Sequence, residues 1–181
     1  MRVLPTALPG VLLLEPKVFG DARGFFLESY NRRTFAEATG VDVEFVQDNH
    51  SRSTKNVLRG LHYQIHCPQG KLVRVTAGEI WDVAVDLRAS SPTFGKWVAA
   101  TLDASSARCM WIPVGFAHGF LVLSDAAEVQ YKTTDYYAPA HERTLLWNDP
   151  ALAIPWPLGG EPILAEKDRT GAPLASAERF A

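Results

Sequence analysis

The punctuation of this sequence constrains its fold more than any other feature. Short runs of strand-forming residues recur along the chain, each closed by Gly, Pro, Asn or Asp within a few residues. The spacing predicts strands over 25–30, 44–50, 57–64, 71–77, 79–87, 97–102, 108–112, 117–123 and 127–134. Alternation is clearest over 79–87, where Trp81, Val83, Val85 and Leu87 share one face and Ile80, Asp82, Ala84 and Asp86 the other. Gly78 leaves room only for a tight connection to the strand before it. One helix is predicted over 33–39, where Phe35, Ala36 and Ala38 precede a stop at Gly40. Many short strands and little helix predict an all-β chain, and a double-sheet jelly roll with few short helices is the expected architecture.

The whole of 1–181 reads as a single domain, without repeat, low-complexity tract or linker. A domain of this size buries about 70% of the surface that its unfolded chain exposes, so it needs no covalent staples. Cys67 and Cys109 are too few for a disulfide scaffold and match no metal-ligand spacing. Lys plus Arg number 18 against 20 Asp plus Glu, a net charge of −2 that offers no basic footprint for nucleic acid or an anionic membrane. The longest stretch free of charged residues, 109–124, is interrupted by Pro113, Gly115, His118 and Gly119, and falls short of the ~20 apolar residues of a membrane span. Pro5, Pro9 and Gly10 break the N-terminal apolar stretch, and no clear cleavage site follows. A soluble, cytoplasmic protein is the expectation.

Four segments concentrate polar groups that are costly to bury among strand-forming residues. In Leu58-Arg59-Gly60-Leu61-His62-Tyr63-Gln64, Arg59 and His62 would face opposite ways on a regular strand, and Gly60 could permit a bulge that re-aims one of them. In Gln69-Gly70-Lys71-Leu72-Val73-Arg74-Val75, Lys71 opens a strong strand, where a lysine is ordinarily a solvated edge guard. His118, within Ile112-Pro113-Val114-Gly115-Phe116-Ala117-His118-Gly119-Phe120, has the ordinary explanation of a satisfied core imidazole. In Tyr131-Lys132-Thr133-Thr134-Asp135-Tyr136-Tyr137, Tyr131 and Tyr137 share strand parity, but Tyr137 is far enough along to lie beyond the strand end. Singly, none of these segments specifies a function.

Together, the strings LRGLHYQ, QGKLVRV, DVAVDLR, IPVGFAHGF, YKTTDYY and EKD resemble the signature series of the dTDP-4-dehydrorhamnose 3,5-epimerase family. The resemblance runs from Phe19-Gly20-Asp21-Ala22-Arg23-Gly24 to Lys167-Asp168. It implies a cupin-type jelly-roll homodimer that uses neither metal nor organic cofactor. The implied substrate is a dTDP-4-keto-6-deoxyhexose, whose ketone acidifies the hydrogens on carbons 3 and 5. By similarity, His62 is the base, Asp168 orients it, Tyr131 is the acid on the opposite face, and Lys71 sits near the enolate oxygen. His118 is implied as a further polar contact near the sugar, and opposing charge suggests Asp82 as a partner for Lys71. Arg59 and Arg23 match positions at or around the diphosphate, where guanidinium gives bidentate contacts. Tyr137 matches the residue that stacks on thymine, and Gln47 and Asn49 offer amides. Glu28, Glu142 and Lys167 match further binding positions. Arg23 and Glu28 fall in a region expected to approach the partner subunit's site.

Two departures stand out: Ala165, where Ser is more typical, and the unusual Ile65-His66-Cys67, which receives no role. Relatives on this fold invert only one carbon or move the ketone, and Tyr131 favours double inversion. A metal cupin using His62, His66 and His118 is disfavoured, because the usual His-x-His pair and a following carboxylate are missing. A non-catalytic sugar-nucleotide-binding module would have no need of base, acid and orienting carboxylate together.

Overall fold

The computed structural model describes residues 1–181. In chain order its elements are β1 (Arg2–Pro5), β2 (Leu12–Glu15), β3 (Val18–Asp21), β4 (Gly24–Leu27), α1 (Arg32–Thr39), β5 (Gln47–Thr54), β6 (Leu58–Gln64), β7 (Lys71–Ala77), β8 (Glu79–Asp86), β9 (Trp97–Asp103), β10 (Cys109–Ile112), β11 (Phe116–Val122), β12 (Ala126–Thr133), β13 (Glu142–Thr144) and α2 (Glu166–Arg169). A single 3-10 turn, Pro139–His141, precedes β13. A six-stranded sheet runs β1-β2-β10-β7-β12-β5, and a five-stranded sheet runs β13-β6-β11-β8-β9. Strands β3 and β4 form a separate hairpin. This is the expected double-sheet jelly roll, and no helix is long and apolar enough to cross a membrane.

Strand parity decides what fills the space between the sheets. Val73 and Val75 of β7, Met110 and Ile112 of β10 and Val129 of β12 meet Ile80 and Ala84 of β8, Phe120 and Val122 of β11 and Leu102 of β9 in one buried cluster. Full burial of such side chains contributes about 1.5–3 kcal/mol each, so this packing holds the two walls at a fixed spacing. The other face of β8, with Val83 and Val85, packs with Leu58, Leu61 and Leu121 beneath Leu145, Leu152, Trp156 and Ala177 of the C-terminal segment. On the outside of the six-stranded sheet, α1 seats Phe35 against Leu14, Leu72 and Trp111. Asn31 caps that helix, its side chain accepting from the Thr34 N–H at 3.2 Å.

Several boundaries differ from the sequence reading. The strand expected over 44–50 is Gln47–Thr54, because the apolar Phe45 packs edge-on against Phe35 and Trp111 outside the sheet. The strand itself is almost wholly polar and pairs with β12 at the sheet's edge. The run expected over 25–30 shortens to Gly24–Leu27 and gains a partner, Val18–Asp21. Strands β1, β2 and β13 were not expected; each has only three or four residues, too few to show a period.

The bulge expected at Gly60 is present. His118 lies opposite His62 and Phe120 opposite Arg59, so Gly60 and Leu61 together face Gly119. Gly60 has φ +120°, and a Cβ on Gly119 would stand 2.7 Å from the Arg59 carbonyl oxygen and 3.1 Å from the Gly60 Cα. Backbone meets backbone here, and no side chain can move aside. Gly119→Ala is therefore expected to destabilise the fold by about 1–3 kcal/mol in denaturant unfolding. An unchanged midpoint would mean that the two strands can separate without cost.

Candidate active site

Because the bulge adds one residue, Arg59 and His62 emerge on the same side of β6 and both line a cleft of about 530 Å³ between the sheets. Alternation on β5 brings Gln47, Asn49 and Ser51 to the cleft as well. Lys71 and Tyr131 enter from β7 and β12 of the six-stranded wall, facing His62 and His118 of the five-stranded wall. Tyr137, Glu142, Lys167 and Asp168 complete the set. All expected site residues except Arg23 and Glu28 thus converge on one cleft.

His62 Nε2 and Asp168 Oδ1 are 2.5 Å apart, and Asp168 is only 1% exposed. Asp168 arrives on α2, which is held against the barrel by parallel bridges from Val57 to Ile163 and from Leu145 to Ala172. Burial lowers the His62 pKa below the ordinary imidazole value, although the Asp168 carboxylate pulls it upward. The ring is thereby held neutral near pH 7, with one nitrogen engaged by Asp168 and Nδ1 free of any protein hydrogen bond.

Lys71 is 8% exposed and donates to the His62 carbonyl oxygen at 3.3 Å. Burial pushes its pKa down to about 8, opposed by Asp82 and Glu142 and reinforced by Lys167. The direct pairing expected between Lys71 and Asp82 does not form. Their strands are consecutive but lie in opposite sheets, and Asp82 Oδ1 instead meets His118 Nε2 at 2.7 Å on the neighbouring strand β11. Asp82 acts on Lys71 through the field alone. Tyr131 makes no hydrogen bond within the protein, and burial raises its phenol pKa, with Arg59 and Lys167 pulling the other way. Burial also raises Glu142, but the Lys167 ammonium, 2.8 Å from its Oε1, together with His62 and the Tyr137 hydroxyl, holds the carboxyl below its usual range.

Arg23 and Glu28 lie outside the cleft. Arg23 pairs with Asp21 on the hairpin, and Glu28 accepts from Asn31 Nδ2 at 3.1 Å beside the start of α1. Ala165 is the N-cap of α2 and makes no side-chain cap bond, so the helix that carries Lys167 and Asp168 begins without one. His66 stacks edge-on against His141, and the Cys67 carbonyl accepts from Gln64. No group of three or more His, Cys, Asp or Glu side chains is close enough to hold a metal ion. Sequence reasoning missed Ser51, Gln69, Phe120 and the Ile163–Leu164 backbone segment as lining residues. Ser51 and Phe120 were available from period-two spacing to Asn49 and His118, whereas Ile163 and Leu164 come from irregular chain with no such signal.

The chain is similar to known proteins along nearly its whole length. The family model described as dTDP-4-dehydrorhamnose 3,5-epimerase matches residues 5–176. A protein of that name from Pseudomonas aeruginosa is 63% identical over 180 residues, covering 99% of both chains. Another from Shigella flexneri is 58% identical over 181 residues, again covering 99% of both. The crystal structure of dTDP-6-deoxy-D-glucose-3,5-epimerase from Legionella pneumophila, in complex with dTDP-4-keto-L-rhamnose, superposes with a TM-score of 0.96 at 50% identity, over 98% of this chain and 94% of that one. With sequence and fold matching over nearly its whole length, the chain belongs to the dTDP-4-dehydrorhamnose 3,5-epimerase family.

Proposed function

We propose that this protein inverts carbons 3 and 5 of dTDP-4-dehydro-6-deoxy-D-glucose to give dTDP-4-dehydro-L-rhamnose, by the chemistry of its own side chains. One observation carries the reading: His62 and Tyr131 enter the same cleft from opposite sheets. A hexose lying between those walls offers one face to a neutral imidazole and the other to a protonated phenol.

The free His62 nitrogen takes the proton from the carbon next to the ketone, and the C–H electron pair moves into an enolate. Asp168 stabilises the imidazolium that forms. Lys71, as the buried ammonium, stabilises the charge on the ketone oxygen. Tyr131 then gives its proton to the same carbon from the other face, which inverts it. The phenolate regains a proton and the imidazolium loses one before the second carbon is treated in the same way. No cofactor enters this balance.

Arg59 and Lys167 supply the cations for the diphosphate, and the half-exposed Tyr137 supplies a face for thymine. His118, Gln47, Asn49 and Glu142 provide the surrounding polar contacts. The hairpin β3–β4 exposes Phe19, Phe25 and Phe26 by 51%, 71% and 70%, a large apolar payload on an element that packs into neither sheet. This supports a homodimer in which the hairpin, with Arg23 and Glu28, reaches the partner subunit's cleft. A soluble nucleotide sugar as substrate is in keeping with a cytoplasmic enzyme, with no nucleic-acid or membrane partner.

Turnover in deuterium oxide tests the assignment. Double inversion predicts deuterium at both carbons, and a product labelled at one carbon only would reduce the activity to mono-epimerisation. Tyr131→Phe should separate two events that the intact enzyme couples. Inverted product is expected to fall by about 10²-fold or more, while washout of the original proton falls far less, because His62 can still remove and return it. Equal loss of both would remove Tyr131 from the opposite face.

A further inference from the structure

The segment that presents Tyr137 has no regular secondary structure, yet the side chains of three glutamines bond four of its backbone groups. Gln64, at the end of β6 in the five-stranded sheet, is 4% exposed. Its Nε2 donates to the Cys67 carbonyl at 2.7 Å and the Tyr136 carbonyl at 3.2 Å, and its Oε1 accepts from the Ala138 N–H at 2.8 Å. Gln47, at the start of β5 in the six-stranded sheet, accepts from the Tyr137 N–H at 3.0 Å. Gln69 donates to the Asp135 carbonyl at 2.8 Å. The Tyr137 hydroxyl in turn donates to Glu142 Oε2 at 3.2 Å.

Of these groups, Gln64 alone grips both residues flanking Tyr137, and it does so from a buried site that does not line the cleft. Both amide hydrogens and the amide oxygen are used. A buried amide satisfied in this way fixes a segment in one conformation, since any other would leave polar atoms dry and unpaired. The ring that it holds is itself about half exposed, so packing does little to fix it.

We infer that Gln64 is a positioning residue for nucleotide recognition, holding the Tyr137 ring at the mouth of the cleft in the orientation that a pyrimidine base stacks upon. The inference rests on the reading of Tyr137 as the stacking residue. Such a pre-set ring binds without first being ordered, so loss of the clamp appears in affinity and leaves the proton transfers intact. Gln64→Met, close in size but without the amide, should raise both the dTDP Kd and the substrate KM about tenfold, with kcat changed less than twofold.

The test measures dTDP binding by calorimetry, with steady-state kinetics, on the intact protein, Gln64→Met, Tyr137→Ala and the double variant. Tyr137→Ala should weaken dTDP binding, and Gln64→Met added to it should weaken binding less than twofold further. Gln64→Met with unaltered dTDP affinity, or with kcat falling at constant KM, overturns the inference while Tyr137 keeps its role. Multiplicative losses in the double variant overturn it too. Unaltered affinity in Tyr137→Ala sinks the stacking reading and the inference together. If Gln64→Met does not fold, Gln64→Asn keeps an amide one methylene too short to reach both flanks and should show the same affinity-only loss; wild-type affinity in that variant counts against the clamp.

Discussion

Replacing His62 with Ala is expected to stop exchange of the hydrogens on both carbon 3 and carbon 5, a loss of about 10²–10⁴-fold at each. The reason lies in the other groups of the cleft. His118 is engaged with Asp82, and the Glu142 carboxyl is ion-paired to Lys167 and held below its usual range, which makes it a poor base. Tyr131 is kept protonated by burial, and Lys71 is chiefly a cation at neutral pH. None of them is poised to substitute. The variant also leaves Asp168 buried without its partner, so some stability will be lost, on the order of 1–3 kcal/mol. Retained dTDP binding would show that the cleft is still formed. Deuterium appearing at either carbon by NMR in His62→Ala would reveal a second base and end the single-base scheme.

Lys71→Met is expected to lower kcat by about 10²–10³-fold, the usual cost of removing one donor from a developing oxyanion. Its signature is in the pH profile. Lys71 works as the ammonium, and because burial lowers its pKa to about 8, that form is lost as pH rises through about 8. His62 works as the neutral ring, and its lowered pKa places the acid limb below the ordinary imidazole value. The intact enzyme should therefore show a bell in kcat/KM between those two limits. In Lys71→Met the acid limb should move slightly up, because the Lys71 charge helps to lower the His62 pKa, while the alkaline limb moves up to the range in which Tyr131 titrates. An alkaline limb that stays near pH 8 in this variant would assign it to another group.

Most of the barrel was legible because its walls obey a period of two. β7 was read with both ends correct, and the two faces of β8 went to the clusters that its alternation indicated. β1, β2 and β13, of three or four residues each, escaped, since so short a run shows no period. The cleft was legible for a different reason: its polar residues stand in strings resembling a known family. Charge alone misled at Lys71 and Asp82, because residues on consecutive strands of a sandwich can belong to different sheets, and a same-sheet neighbour such as His118 has first claim on the carboxylate. The glutamine clamp was unreadable for a related reason. Its partners are backbone groups of an irregular segment 72 and 74 positions away from Gln64, and backbone acceptors leave no mark on residue identity.

The carboxylate that completes the base is 106 residues downstream of it and belongs to none of the sheets. Contacts between such distant parts of a chain form late, once the loop entropy has been overcome. As the chain leaves the ribosome, every strand is released before α2. Until α2 is present, the cleft lacks both the Asp168 carboxylate that orients its imidazole and the Lys167 ammonium at its lining. Proton abstraction at full strength thus waits on the same short helix that completes the lining of the cleft.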